Sequence, residues 1–80
     1  MKLVDVGFGN FLSAGRVIAV ISPESLPVRR LIQDAKNIGR IIDVCCGKKT
    51  KAVIITDSDH IVLSAETPQD LNERFNINEQ

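Results

Sequence analysis

Apolar residues along this chain fall into short runs rich in β-branched side chains, separated by polar turns and interrupted twice by helical spacing. Leu3, Val4, Val6 and Phe8, broken by Asp5, predict a short strand over 3–8. Gly7-Phe8-Gly9-Asn10 then supplies residues that tolerate positive φ, so a turn is expected. Phe11, Leu12 and the small residues Ser13-Ala14-Gly15 lead to Arg16, which opens a second strand, Val17 to Ile21.

Ser22-Pro23-Glu24-Ser25-Leu26-Pro27 punctuates the chain and starts a helix that either serine could cap. Val28, Leu31, Ile32, Ala35 and Ile38 recur at helical spacing as one apolar stripe, opposite Arg29, Arg30, Gln33, Asp34, Lys36 and Asn37. Gly39 is placed to end this helix in a left-handed conformation. The apolar runs Ile41 to Cys46 and Ala52 to Thr56 flank Gly47–Lys51 and predict a β-hairpin across it. Asp57-Ser58-Asp59 predicts a tight turn before a strand from His60 to Ser64. Thr67-Pro68-Gln69-Asp70 carries a cap, a proline at the first helical position and an acid three residues after the cap. A short helix through about Phe75 follows, with a polar tail at 76–80 expected to fray. The pattern predicts one domain over 1–80, a mainly antiparallel α+β fold of about five strands and two helices.

Size and composition add self-association. A domain of 80 residues buries only about 60 % of the surface its unfolded chain exposes. Yet 44 % of residues are apolar, with no disulfide framework or metal-ligand pattern. Burial of the excess against further copies is the expected remedy, usually in closed dimers or rings. Cys45 and Cys46, read as adjacent strand residues on opposite faces, favour neither mutual disulfide nor shared metal ligation. They read as small buried or half-buried side chains, and free thiols fit a reducing compartment. The N-terminal residues lack the apolar region of a signal peptide, and no run reaches membrane-spanning length. A cytoplasmic protein without membrane association is expected.

Charge changes the picture more. Residues 1–51 hold nine Lys and Arg against four acids (+5), while residues 52–80 hold Arg74 against six acids (−5). A field depends on where charges sit, so a net charge of zero does not exclude an anion-binding face. The densest basic point is Gly47-Lys48-Lys49-Thr50-Lys51. It reads either as an exposed turn kept soluble by lysine or as a phosphate-gripping loop to which Thr50 adds a hydrogen-bond donor. The absence of Trp and Tyr, with only three Phe, argues against a base-stacking platform and leaves duplex backbone as the better nucleic-acid partner. One loop offers few contacts, so many copies would have to act together.

Other candidate chemistry is weaker. Gly7-Phe8-Gly9-Asn10 resembles the start of a dinucleotide fingerprint, but Leu12 stands at the third glycine and a strand follows. Asp57-Ser58-Asp59-His60 gathers two acids, a hydroxyl and the only histidine. No second cluster completes a metal site, and a serine two residues away on a tight turn is not expected to reach back to His60. No catalytic residue, metal or cofactor is expected, and no small-molecule ligand is evident. Arg29 and Arg30 read as a solvated helix face with Asp34 and Lys36 mixing the signs.

Taken together, Gly7-Phe8-Gly9-Asn10, Ser13-Ala14-x-Arg16, Ser22-Pro23-Glu24-Ser25, Ile32-Gln33-Asp34-Ala35, Gly47-Lys48-Lys49-Thr50-Lys51-Ala52-Val53 and Asp57-Ser58-Asp59-His60 resemble the RemA family over nearly the whole chain. These are small bacterial regulators of extracellular-matrix (biofilm) genes. The resemblance implies a DNA-binding transcriptional activator that assembles into a homo-oligomeric ring, with a LytTR-like arrangement and duplex DNA along the outside. It carries DNA contact onto Arg16, Lys48 and Lys49; Lys51, in the same basic loop, is a weaker candidate by its charge. The paired arginines expected in the basic loop are lysines here, which contact phosphate as point charges and lack the planar fork suited to guanine. Val44-Cys45-Cys46 also departs from the polar or aromatic residues of the family. The rival expectation is a ring-forming scaffold that binds an acidic protein.

Overall fold

A computed structural model describes residues 2–76. Strand β1 (Leu3–Asp5) pairs antiparallel with β2 (Phe11–Ser13), matching Val4 with Leu12. The connecting turn has positive φ at Gly7, Phe8 and Gly9. The Gly7 amide donates to Asp5 Oδ1 at 2.8 Å, and Asn10 Nδ2 donates to the Gly7 carbonyl at 2.8 Å. The expected strand over 3–8 therefore stops at Asp5, because Asp5 and Asn10 supply local partners that compete with strand pairing. A 3-10 turn, Ala14–Arg16, leads into β3 (Val17–Ile21).

Helix α1 (Leu26–Asn37) has Ser25 as its N-cap, the hydroxyl accepting from the Val28 amide at 3.4 Å. It ends in a Schellman motif. Gly39 lies at φ 71°, its amide donates to the Lys36 carbonyl, and that of Arg40 donates to the Ala35 carbonyl. Of the expected apolar stripe, Val28, Ile32 and Ala35 pack against the core. Leu31 and Ile38 remain 37 % and 70 % exposed.

Strands β4 (Ile41–Asp43), β5 (Ala52–Thr56) and β6 (Ile61–Ser64) complete a sheet ordered β3-β5-β6-β4. The pairs β3–β5 and β5–β6 are antiparallel, and β4–β6 is parallel. The hairpin expected between 41–46 and 52–56 does not form. Asp43 Oδ1 accepts the Cys45 amide at 2.9 Å, which ends β4 early, and β6 occupies the position between β4 and β5. The fold is α+β as expected, with six strands in two small sheets rather than about five. Helix α2 (Pro68–Asn76) starts at Thr67, whose hydroxyl accepts the Asp70 amide at 3.1 Å. Asn76 belongs to this helix rather than to a tail, and 77–80 lie outside the described residues.

The four-stranded sheet buries both faces. Ala52, Ile54 and Val62 cluster with Val6 and Leu71, joined by Leu12, Val17, Val20 and Phe75. Val53, Ile61 and Leu63 face Ala35 and Cys45, joined by Val28 and Ile32 of α1. Alternation along β5 thus feeds two cores, one under α1 and one under α2 with the β1–β2 sheet. This central strand fixes where its two ends, and the cations near them, can sit.

Candidate nucleic-acid interface

The basic loop is pinned at both ends. The Val44 amide donates to the Leu63 carbonyl at 3.0 Å and the Lys51 amide to the Ser64 carbonyl at 2.8 Å. Between them Cys46 and Gly47 adopt φ of 52° and 81°, reversing the chain, and the Lys48 amide donates to the Cys45 carbonyl at 3.0 Å. Cys46 is exposed and Cys45 is buried, and both lie in this loop rather than on a strand. That corrects the expectation of two strand residues, each at least half-buried. Burial pushes the Cys45 thiol above the ordinary cysteine range, with Thr50 opposing and Asp43 reinforcing the shift. Thr50 Oγ1 lies 3.4 Å from Cys45 Sγ, so its hydroxyl faces inward to the loop rather than standing free for phosphate.

Lys48, Lys49 and Lys51 are exposed, and none takes part in an ion pair among the described residues. Lys49 and Lys51 border a shallow hollow of about 340 Å³ shared with Ser22, Glu24 and Gln69. Arg16 differs. Its Nε donates to Asp57 Oδ1 at 2.9 Å, while the Asp57 amide donates to the Arg16 carbonyl at 2.9 Å. The hydrogen bond to Asp57, then the carboxylate charge, raises the pKa of the guanidinium.

These cations do not converge within one chain. Register pairs Val17 with Thr56 and Ile21 with Val53. Arg16 therefore sits beyond the Thr56 end of β5, and Lys51 immediately precedes its Ala52 end. At roughly 3.3 Å per residue, Lys51 and Asp57 lie about 20 Å apart. The chain carries two cationic ends rather than one patch.

The Arg16 end holds a further cluster. Ser58 Oγ lies 2.8 Å from His60 Nδ1 and 3.0 Å from Thr56 Oγ1, and Arg40 donates to the Ser58 carbonyl at 3.2 Å. The serine therefore does reach back to His60, against expectation, because Asp59 at φ 64° folds the turn tightly. Among the described residues, no hydrogen bond reaches His60 Nε2 and no group of three or more His, Cys, Asp or Glu could hold a metal ion. Two residues that shape the site were not legible as such: Asp57 read only as a turn acid, 41 positions from Arg16 in the chain, and Asp43 lay inside the expected strand Ile41 to Cys46. Arg74 is structural, bonding the Asp5 carbonyl and Glu66 from α2. Arg29 and Arg30 are exposed on α1.

A family model described as extracellular matrix regulatory protein A-like matches residues 3–75. The chain belongs to the RemA-like family. Three relatives carry the name of candidate regulatory proteins. One from Thermoanaerobacter sp. (strain X514) is 54 % identical over the whole RemA-like chain and 83 % of its own length. Another, from Gloeothece citriformis, is 51 % identical over the whole chain and 91 % of its own. The third, from Bacillus pumilus, is 48 % identical over the whole chain and 90 % of its own. These names are those of regulators rather than enzymes. No helix of the described residues is long and apolar enough to cross a membrane.

Proposed function

We propose that this RemA-like protein is a DNA-binding transcriptional regulator that assembles into a homo-oligomeric ring and holds duplex DNA by its backbone. One observation carries the reading: exposed cations stand at both ends of β5, unpaired among the described residues at Lys48, Lys49 and Lys51. A lone subunit offers two separated grips of few contacts. Copies joined through their sheet edges would repeat each cationic end around the assembly, making a basic track for curved DNA.

Self-association draws support from the sheet edges. Strands β3 and β4 are the two edges, and they expose Ile18 at 68 % and Ile42 at 44 %. Phe11, 58 % exposed, lies beside Ile42 along one hollow. Unlike apolar surfaces on opposite edges fit a heterologous contact, which closes into a ring when the rotation permits. Activation of matrix genes in a cytoplasmic setting is the regulatory role that the family description suits.

The test is duplex mobility shift with Lys48→Ala/Lys49→Ala and Arg16→Ala, with native mass confirming assembly. Each variant should bind roughly tenfold or more weakly, since each copy loses charged grips. Undiminished binding by assembled variants would contradict the reading. A scaffold for an acidic protein is the second reading, favoured by the same lysines; binding to an acidic protein with none to duplex would establish it.

A further inference from the structure

Arg16 is held by its inner edge. Its Nε donates to Asp57 Oδ1 at 2.9 Å, and its backbone carbonyl accepts the Asp57 amide at 2.9 Å. A guanidinium presents five N–H donors in a planar fork, so engaging Nε leaves the outer pair of amino groups free. The Arg16 side chain is 67 % exposed, which leaves that outer edge open to solvent. An anion reaching it would meet two parallel donors already aimed.

The turn that carries Asp57 is itself braced. Thr56 donates its amide and hydroxyl to the His60 carbonyl at 3.1 Å each, and Ser58 bridges Thr56 and His60. Arg40 donates to the Ser58 carbonyl at 3.2 Å. A freely rotating arginine loses side-chain entropy when it grips a phosphate, and a preset one loses less.

We infer that Asp57 is a positioning residue that presents the outer edge of Arg16 for bidentate contact with a backbone phosphate. This rests on the DNA-binding reading. Asp57 also brings a negative charge within reach of the phosphate. Simple Coulomb reasoning therefore gives the opposite sign: removing the acid should tighten binding. The two effects separate in Asp57→Asn, which keeps the accepting oxygen and removes the charge, and Asp57→Ala, which removes both.

The experiment compares the full chain with Asp57→Asn and Asp57→Ala. Far-UV spectra and thermal unfolding check the fold. Solvent exchange of the Arg16 Nε proton is read by NMR, and affinity for a duplex is read at fixed salt. In Asp57→Ala the Arg16 Nε proton should exchange faster, and binding should be roughly three- to tenfold weaker despite the loss of a negative charge. Asp57→Asn should bind as well as the unmodified chain or better. A purely structural role would lower the unfolding temperature and leave the affinity of the folded protein unchanged, which overturns the inference. Tighter binding by both variants would make Asp57 a competitor of phosphate, and also overturns it. Failure of the unmodified chain to bind duplex would remove the DNA reading and this role together, an outcome distinct from equal binding by all three.

Discussion

Ser64 Oγ donates a 2.7 Å hydrogen bond to the Val6 carbonyl, joining the central sheet to the turn after β1 across 58 residues of chain. Ser64 is fully buried, and its oxygen also accepts the Glu66 amide at 3.1 Å. One hydroxyl thus satisfies two backbone groups that have left their own strands. Ser64→Ala would leave both without it, and a buried unpaired polar group costs ~1–3 kcal/mol. Urea unfolding of the variant should show a lower midpoint with little change in slope.

The two thiols should behave oppositely. Cys46 is exposed and should react promptly with an alkylating reagent at neutral pH, while buried Cys45 should label only on opening. Mass spectrometry after a short pulse should find one modified site. The raised pKa of Cys45 has a sign for stability as well. The folded state favours the thiol, so this contribution is full below the ordinary cysteine pKa and is lost as pH rises through the folded value. The stability difference between the native chain and Cys45→Ala should therefore shrink on going to alkaline pH.

Asp43 is the brace of the lysine loop. Asp43→Ala removes the acceptor of the Cys45 amide without touching a cation. A loss of ~1 kcal/mol is expected, with faster hydrogen exchange at Cys45 and weaker duplex binding. The salt slope of binding should stay unchanged, because the variant keeps every cation of the loop.

The sequence made the helices legible because their signals are local. Ser25, Gly39 and Thr67-Pro68 act within a few residues of the backbone groups they serve. The β5–β6 hairpin was equally local, turning at Asp57-Ser58-Asp59. Strand β2 was missed because Phe11-Leu12-Ser13 is three residues long and contains no β-branched side chain. The partner of β4 was misread for a different reason. An apolar run reports burial on a sheet, whereas its neighbour depends on the crossover through α1, which pattern alone does not encode. Asp43, interrupting that apolar run, was the available sign that the strand ends there.

At the site, the cations were readable as charge, and their arrangement was not. Arg16 and the lysine loop both belong to the basic first part of the chain, yet the antiparallel register sends them to opposite ends of β5. The sorting of charge along the chain is bridged at one point, where Asp57 from the acidic segment pairs with Arg16 from the basic one.

Duplex affinity measured across a series of salt concentrations tests most directly whether repeated cationic ends grip a polyanion. A steep linear fall of log affinity with log salt is expected, with a shallower slope once Lys48 and Lys49 are both alanine. A slope near zero in the assembled native protein, or one that the lysine variant leaves unaltered, would contradict it.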